Sequence, residues 1–268
     1  MSVETLLLES RLKQLGLTTF IRNHAPFAVD AAQNQYSYAR YLLALAEQEV
    51  AQREANSRQR RLKEAKLPIV KQLSDFDFAA IPTLNQQQLF QLAQGDYIRQ
   101  REPVILVGNP GLGKTHIATG LAVEACRQHY RVRFYNTAAL VNELLAAQQA
   151  QQLAKVLAAA QRHHLLVLDR VPSGRGFIPL TATGAQLLFQ FCSALYERVA
   201  LIVTTNLKFA DWTQIFGDER LTLALLDRLT HKAHILEFTG ESYRFRQQRQ
   251  RVSPRSELVG TTPQVKEA

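Results

Sequence analysis

The chain has 268 residues, of which 46% are hydrophobic, so it can bury the core of one large domain, or of a small and a medium one, without disulfides. The 32 Lys and Arg against 23 Asp and Glu give a formal charge of +9, which favours polyanionic partners but does not separate DNA from RNA or an anionic membrane surface. Cys126 and Cys192 are too far apart in sequence to suggest a disulfide framework or a zinc cluster; with no long apolar segment and no secretory signal, we expect a cytoplasmic protein that does not span a membrane.

Residues 1–72 are predicted to form a small all-α domain that binds DNA or a partner. Apolar residues recur there at the helical spacings of three and four, which predicts helices with one buried face. These residues are Leu8, Leu12 and Leu15, followed by Tyr38, Leu42, Leu45 and Ala46.

The end of this region is strongly basic. Between Arg53 and Lys71 there are seven Lys or Arg residues and only two acidic ones. Cations along a helix can neutralise nucleic-acid phosphates, although long helices also carry such charge simply as a solvated face. The candidate DNA contacts are Arg58, Arg60, Arg61 and Lys63.

Residues 73–100 are predicted to be a connector, because they contain Pro82, Gly95 and the acidic-aromatic run Asp75–Phe78. From 101 to 250, short β-branched runs alternate with helical segments, which predicts an α/β domain whose parallel sheet is covered on both faces. Residues 137–163 are predicted to be helical, and the basic, polar tail 251–268 to be disordered. The predicted strands are 104–107, 132–135, 165–168, 201–205 and 234–238.

A phosphate-binding motif follows the first predicted strand. Its pattern is G-x-x-x-x-G-K-[ST], and a predicted helix follows it, so both contexts that the motif requires are present. Backbone N–H groups of such a loop surround phosphate oxygens at the positive end of the helix. We expect Lys114 to contact the β- and γ-phosphates of ATP and Thr115 to bind Mg²⁺; the alternative is a glycine-rich turn that binds nothing. The predicted nucleotide contacts are Gly108, Asn109, Pro110, Gly111, Leu112, Gly113, Lys114, Thr115 and His116.

Two later strands also end in polar residues. The run 165–168 leads into Asp169, where P-loop proteins place the carboxylate that orients magnesium. The run 201–205 leads into Asn206, whose amide is suited to orient a water beside the γ-phosphate. A buried strand that ends in Asp and a turn Asn are the structural alternatives. The upstream phosphate motif favours the functional interpretation of both residues.

These elements, in this order, resemble the IstB-type ATP-binding proteins of insertion sequences, relatives of the DnaC helicase loader within the AAA+ superfamily. The resemblance covers nearly the whole chain. It implies a P-loop AAA+ ATPase domain after the helical domain, ATP-dependent homo-oligomerisation on DNA, and stimulation of a partner transposase. Its specific segments are RQRRLKEAKLPIVKQLSDFDF, GNPGLGKTH, GAQLLFQ at 184–190, TTNLKFADW and LLDRLTHKAHILEFTGESYR.

The resemblance also implies individual roles. Residues 108–115 correspond to the Walker A loop, Asp169 to the Walker B acid and Asn206 to the sensor of the γ-phosphate. Arg228 corresponds to the arginine finger, which reaches the nucleotide of a neighbouring subunit. The alternative for Arg228 is an ion pair with a helix acid such as Asp227.

One segment departs from the family pattern, which reads Asp-Glu at Walker B and then Gly-aromatic-Ile/Val-Pro-Leu. Here Arg170 follows Asp169, and Val171–Arg175 lengthens the segment before the family pattern resumes at Gly176. The glutamate would polarise the hydrolytic water, so we expect ATP binding to persist and turnover to be slow. Two alternatives to a transposition ATPase stay open: a DnaC-like helicase loader, and a nucleotide-gated DNA-binding scaffold with little hydrolysis.

Overall fold

The computed structural model describes residues 2–171, 180–216, 218–240 and 242. These residues fall into two compact units, Met1–Arg61 and Leu62–Ala268. The predicted tail at 251–268 lies outside the described residues, and so do residues 172–179, which include positions 172–175 of the predicted departure after Asp169. The domain boundaries at 72 and 100 remain predictions. No helix in the described part of the chain is long and apolar enough to cross a membrane.

Three helices form the amino-terminal part: α1 (Val3–Gln14), α2 (Thr18–Gln33) and α3 (Tyr38–Glu64). The prediction of helices is confirmed, but the predicted buried faces are largely wrong. Leu12 and Leu45 are buried, whereas the other apolar residues of the two sets are exposed. Few helices in a short unit enclose little volume, so helical spacing there does not ensure burial. The exposed members are Leu8, Leu15, Tyr38, Leu42 and Ala46.

The larger unit contains a five-stranded parallel sheet, as predicted. The order of the strands is β2-β3-β4-β1-β5, so β1 lies between β4 and β5 and carries its loop to the middle of one sheet edge. The strands are β1 (Val104–Gly108), β2 (Val132–Asn136), β3 (Leu165–Val171), β4 (Ala200–Thr205) and β5 (His234–Phe238).

Helices connect the strands and cover both faces of the sheet. The predicted helical stretch 137–163 is two helices, α7 and α8, because Gln151 adopts a left-handed backbone conformation (φ 55°) between them. Short 3-10 turns occur at Leu73–Asp75, Phe78–Ala80 and Phe209–Asp211. The helices are α4 (Gln86–Ala93), α5 (Asp96–Gln100), α6 (Lys114–Arg127), α7 (Thr137–Gln149), α8 (Leu153–Ala160), α9 (Ala182–Leu195), α10 (Thr213–Phe216) and α11 (Glu219–Thr230).

Successive residues of β1 point to opposite faces and join two different cores. Val104 and Leu106 pack with α6 on one face, whereas Ile105 packs with α7 and α9 on the other. Both cysteines are buried, and burial raises the pKa of the Cys192 thiol to about 12. The sheet is therefore fixed from both sides, and the loops at its carboxyl edge are held on a rigid base.

Candidate nucleotide-binding site

The phosphate motif forms the turn from β1 into α6. Gly108 has φ 146°, and a Cβ atom there would lie 2.1 Å from the carbonyl oxygen of Phe238. Gly113, the residue before α6, has φ 84°, and a Cβ atom there would lie 2.5 Å from the Phe76 ring. Both positions therefore require glycine, and the loop brings its backbone to the amino-terminal end of α6.

Lys114 is held inside this turn. Its Nζ donates hydrogen bonds to the carbonyl oxygens of Gly108 at 2.5 Å and Asn109 at 2.8 Å, and only 6% of the residue is exposed. The loop carbonyls compensate the buried ammonium group. The cation is thus kept at the mouth of the loop, where it can exchange these carbonyls for phosphate oxygens.

Asp169 lies directly beside Thr115. The hydroxyl groups of Thr115 and Thr204 each donate to Asp169 Oδ1 at 2.8 Å, and Asp169 is 4% exposed. A hydroxyl and a carboxylate oxygen are ligands that Mg²⁺ prefers, so these residues fit the ion. When bound, the ion would be held by Thr115 and Asp169 and would neutralise phosphate charge.

Arg170 has an unusual backbone in this site. Its φ is 56°, and its N–H donates to Thr204 Oγ1 at 2.8 Å. The pairing of β3 with β4 is irregular between Leu168 and Val171, so Arg170 lies in a bulge. Its Nε is 3.6 Å from Asp169 Oδ2, and half of its side chain is exposed.

Asn206 follows β4, the strand between β1 and β3. Because Thr205 pairs with Val107, Asn206 lies at the level of the phosphate loop, between the loop and the strand that carries Asp169. The residue is half-buried. The structure therefore brings residues 108–116, Asp169 and Asn206 together at one sheet edge.

Arg228 is not brought to this group. It lies near the end of α11, beside a cavity of about 60 Å³ at the opposite edge of the sheet, where β1 and β4 begin. Its guanidinium donates to Ser193 Oγ and lies 5.3 Å from the centre of the Phe189 ring. Arg228 is therefore remote from the phosphate loop of its own chain.

Some residues of the site were not singled out from the sequence. Thr204 connects Asp169 to Arg170, and Thr137 Oγ1 donates to the Asp169 carbonyl oxygen at 3.0 Å. Phe76 packs on Gly113 and meets His116 edge-on, and His116 Nε2 lies 2.9 Å from the carbonyl oxygen of Gln72. The sequence marks these residues only as a Thr-Thr pair before Asn206 and as the aromatic run Asp75–Phe78. Neither pattern shows that Thr204 contacts Asp169 or that Phe76 contacts Gly113.

The candidate DNA-contact residues lie along the last turns of α3. Arg58, Arg60 and Lys63 are exposed, and Arg61 is half-buried. Their role as DNA contacts stays a prediction.

A parallel sheet of this strand order, with a phosphate loop after β1 and an acid at the end of β3, defines the chain as a P-loop protein of the AAA+ class. The chain belongs to the IstB-like ATP binding protein family, whose model matches residues 10–251.

Two relatives support this membership, and two solved structures share the fold. The chain is 34% identical to the ATP-binding protein of insertion sequence IS5376 from Geobacillus stearothermophilus, over 88% of this chain and 92% of that protein. It is 35% identical to the ATP-binding protein of insertion sequence IS21 from Pseudomonas aeruginosa, over 90% of this chain and 88% of that protein. The crystal structure of DnaI shares the fold at a TM-score of 0.51 and 16% identity, covering 63% of this chain and 91% of that chain. The replication initiator DnaA bound to AMPPCP and single-stranded DNA shares it at the same TM-score and identity, covering 69% and 55%.

Proposed function

We propose that this chain is an ATP-dependent helper protein in the transposition of an insertion sequence. It binds ATP and Mg²⁺, oligomerises on DNA and assists a partner transposase. The observation that carries the nucleotide part is the hydrogen bond of 2.8 Å between Thr115 and Asp169, next to Lys114 in the loop. This geometry joins the phosphate loop to the magnesium-binding acid. The names of the relatives, which are ATP-binding proteins of insertion sequences, support the transposition context.

The location of Arg228 supports assembly through the nucleotide. A cation at the sheet edge opposite the phosphate loop is badly placed for its own ATP, so a role of Arg228 at a nucleotide requires the ATP of another subunit. Nucleotide binding and subunit contact would then be coupled, and each would strengthen the other.

Replacing Arg228 with alanine is expected to leave ATP binding by isolated subunits unchanged and to weaken ATP-dependent assembly, because the finger serves the neighbour's site. Light scattering and analytical ultracentrifugation with and without ATP measure assembly, and Arg220→Ala, an exposed arginine on the same helix, is the matched control. Equal assembly of the Arg228 variant and the unaltered protein would exclude this role.

DNA binding is expected to weaken steeply as salt rises, because a basic surface that neutralises phosphates releases their counterions. Neutralising Arg58, Arg60 and Arg61 together should reduce the slope of log affinity against log salt by roughly two to three if each contacts one phosphate. Fluorescence anisotropy with labelled duplex DNA measures the slope. A variant with the same loss of charge at the exposed residues Arg131, Arg162 and Arg198 is the control. An unchanged slope in the first variant would make the basic helix a solvated face.

Arg170 favours a second candidate function, a nucleotide-gated DNA-binding scaffold with little hydrolysis. ATPase rates measured with and without duplex DNA separate the scaffold from an active ATPase. A DnaC-like helicase loader would share the ATPase core and differ in its partner. A neighbouring gene that encodes a transposase with an acidic catalytic triad would support the transposition role over the loader.

A further inference from the structure

Arg170 places a permanent positive charge at the acid that would bind magnesium. Its Nε is 3.6 Å from Asp169 Oδ2, while Oδ1 of the same carboxylate accepts the Thr115 and Thr204 hydroxyl groups. Asp169 is therefore shared between the predicted magnesium ligand Thr115 on one side and a guanidinium group on the other.

The backbone fixes the base of this side chain while its end stays free to move. The N–H of Arg170 is bonded to Thr204, which is itself bonded to Asp169, and the residue lies in the bulge between Leu168 and Val171. The Asp169 side chain is only 5% exposed, whereas that of Arg170 is 50% exposed. The guanidinium group can therefore leave Asp169 and turn toward a ligand in the site without disturbing the sheet.

The chemistry of the group suits a triphosphate. A guanidinium group stays charged at all ordinary pH values and offers five N–H donors in a planar fork that matches phosphate oxygens. Magnesium in P-loop sites neutralises charge on the β- and γ-phosphates. A guanidinium group 3.6 Å from Asp169 would do part of that task if it turned to the same oxygens, and it also disfavours a second cation at Asp169.

We propose that Arg170 is a phosphate-contacting residue that replaces part of the charge neutralisation by magnesium, so that this chain binds ATP with only weak dependence on Mg²⁺. The inference rests on the proposed function, since it requires ATP at the P-loop. It assigns Arg170 a binding role that is separate from the loss of the Walker B glutamate.

The test is equilibrium binding of a ribose-labelled fluorescent ATP to the full chain, in Mg²⁺ and in excess EDTA. Removing Mg²⁺ should weaken ATP binding by the unaltered protein less than about threefold. The same change should weaken ATP binding by Arg170→Gln more than about tenfold, because one charge-assisted contact to the phosphates is missing in that variant. Arg170→Lys keeps the charge and should lie between them. Arg198→Gln, an exposed arginine before β4, should match the unaltered protein.

Several results would overturn the inference. An equal dependence on Mg²⁺ in the unaltered protein and Arg170→Gln would show that Arg170 does not contact the phosphates. If removing Mg²⁺ weakens ATP binding by the unaltered protein more than about tenfold, the inference is also overturned. This result does not depend on whether any variant folds. Absence of ATP binding by the unaltered protein even in Mg²⁺ would instead refute the proposed function, and this inference with it. Circular-dichroism melting of each variant confirms that the proteins compared are folded.

Discussion

Replacing Lys114 with alanine is expected to lower ATP affinity by roughly two orders of magnitude, because we propose that the ammonium group forms charge-assisted contacts to two phosphates, each worth about 1.5 kcal/mol or more. Its Nζ donates to the carbonyl oxygens of Gly108 and Asn109 inside the turn, where only 6% of the residue is exposed. Isothermal titration with ATP and Mg²⁺ measures the loss.

The control for this variant must keep the loop folded. Lys114 is bonded to the Gly108 and Asn109 carbonyl oxygens, so its removal also leaves two loop acceptors without this donor. Lys114→Arg keeps a positive charge and should lose less affinity than Lys114→Ala, while both should melt near the temperature of the unaltered protein. Unchanged ATP affinity in Lys114→Ala would refute the P-loop assignment.

The three central strands β1, β3 and β4 could be predicted from the sequence because parallel strands buried on both faces are short apolar runs. The edge strands β2 and β5 mix polar residues into their apolar ones and were predicted from their place in the alternation of strands and helices. The strand at 234–238 was predicted to the residue. The phosphate loop was equally readable, since its glycines are required by local backbone geometry at Gly108 and Gly113. Local chemistry therefore accounts for the part of the site that the motif covers.

The contacts between distant segments could not be predicted in this way. Thr204 joins Asp169 only because β4 pairs with β3, and Phe76 reaches Gly113 only because the connector packs on α6. Helical spacing also failed to predict burial at Leu8 and Leu15, since burial depends on which surfaces meet. Such facts belong to tertiary packing, on which a spacing rule carries no information.

We expect the unaltered protein to hydrolyse ATP slowly even on DNA. Its turnover rate should be lower by roughly a hundredfold or more than that of a site with a general base. Arg170 cannot accept a proton from water, because a guanidinium group carries only N–H donors and has no acceptor. Phosphate release in the presence of duplex DNA measures this rate. Brisk hydrolysis by the unaltered protein would mean that another group orients the water and that this segment is not a damaged catalytic site.

The structure also indicates why Arg170→Glu alone should not restore hydrolysis. A glutamate at this position would inherit the left-handed backbone (φ 56°) and the bulge between Leu168 and Val171, so its carboxylate would start from the direction that Arg170 takes now. Combining Arg170→Glu with deletion of residues 172–175 restores the family spacing, and the shorter segment after β3 is expected to remove the irregular pairing between Leu168 and Val171. We expect this combined variant to hydrolyse ATP at least about a hundredfold faster than either change alone. Equal rates in all three variants would show that the missing carboxylate is not what limits turnover.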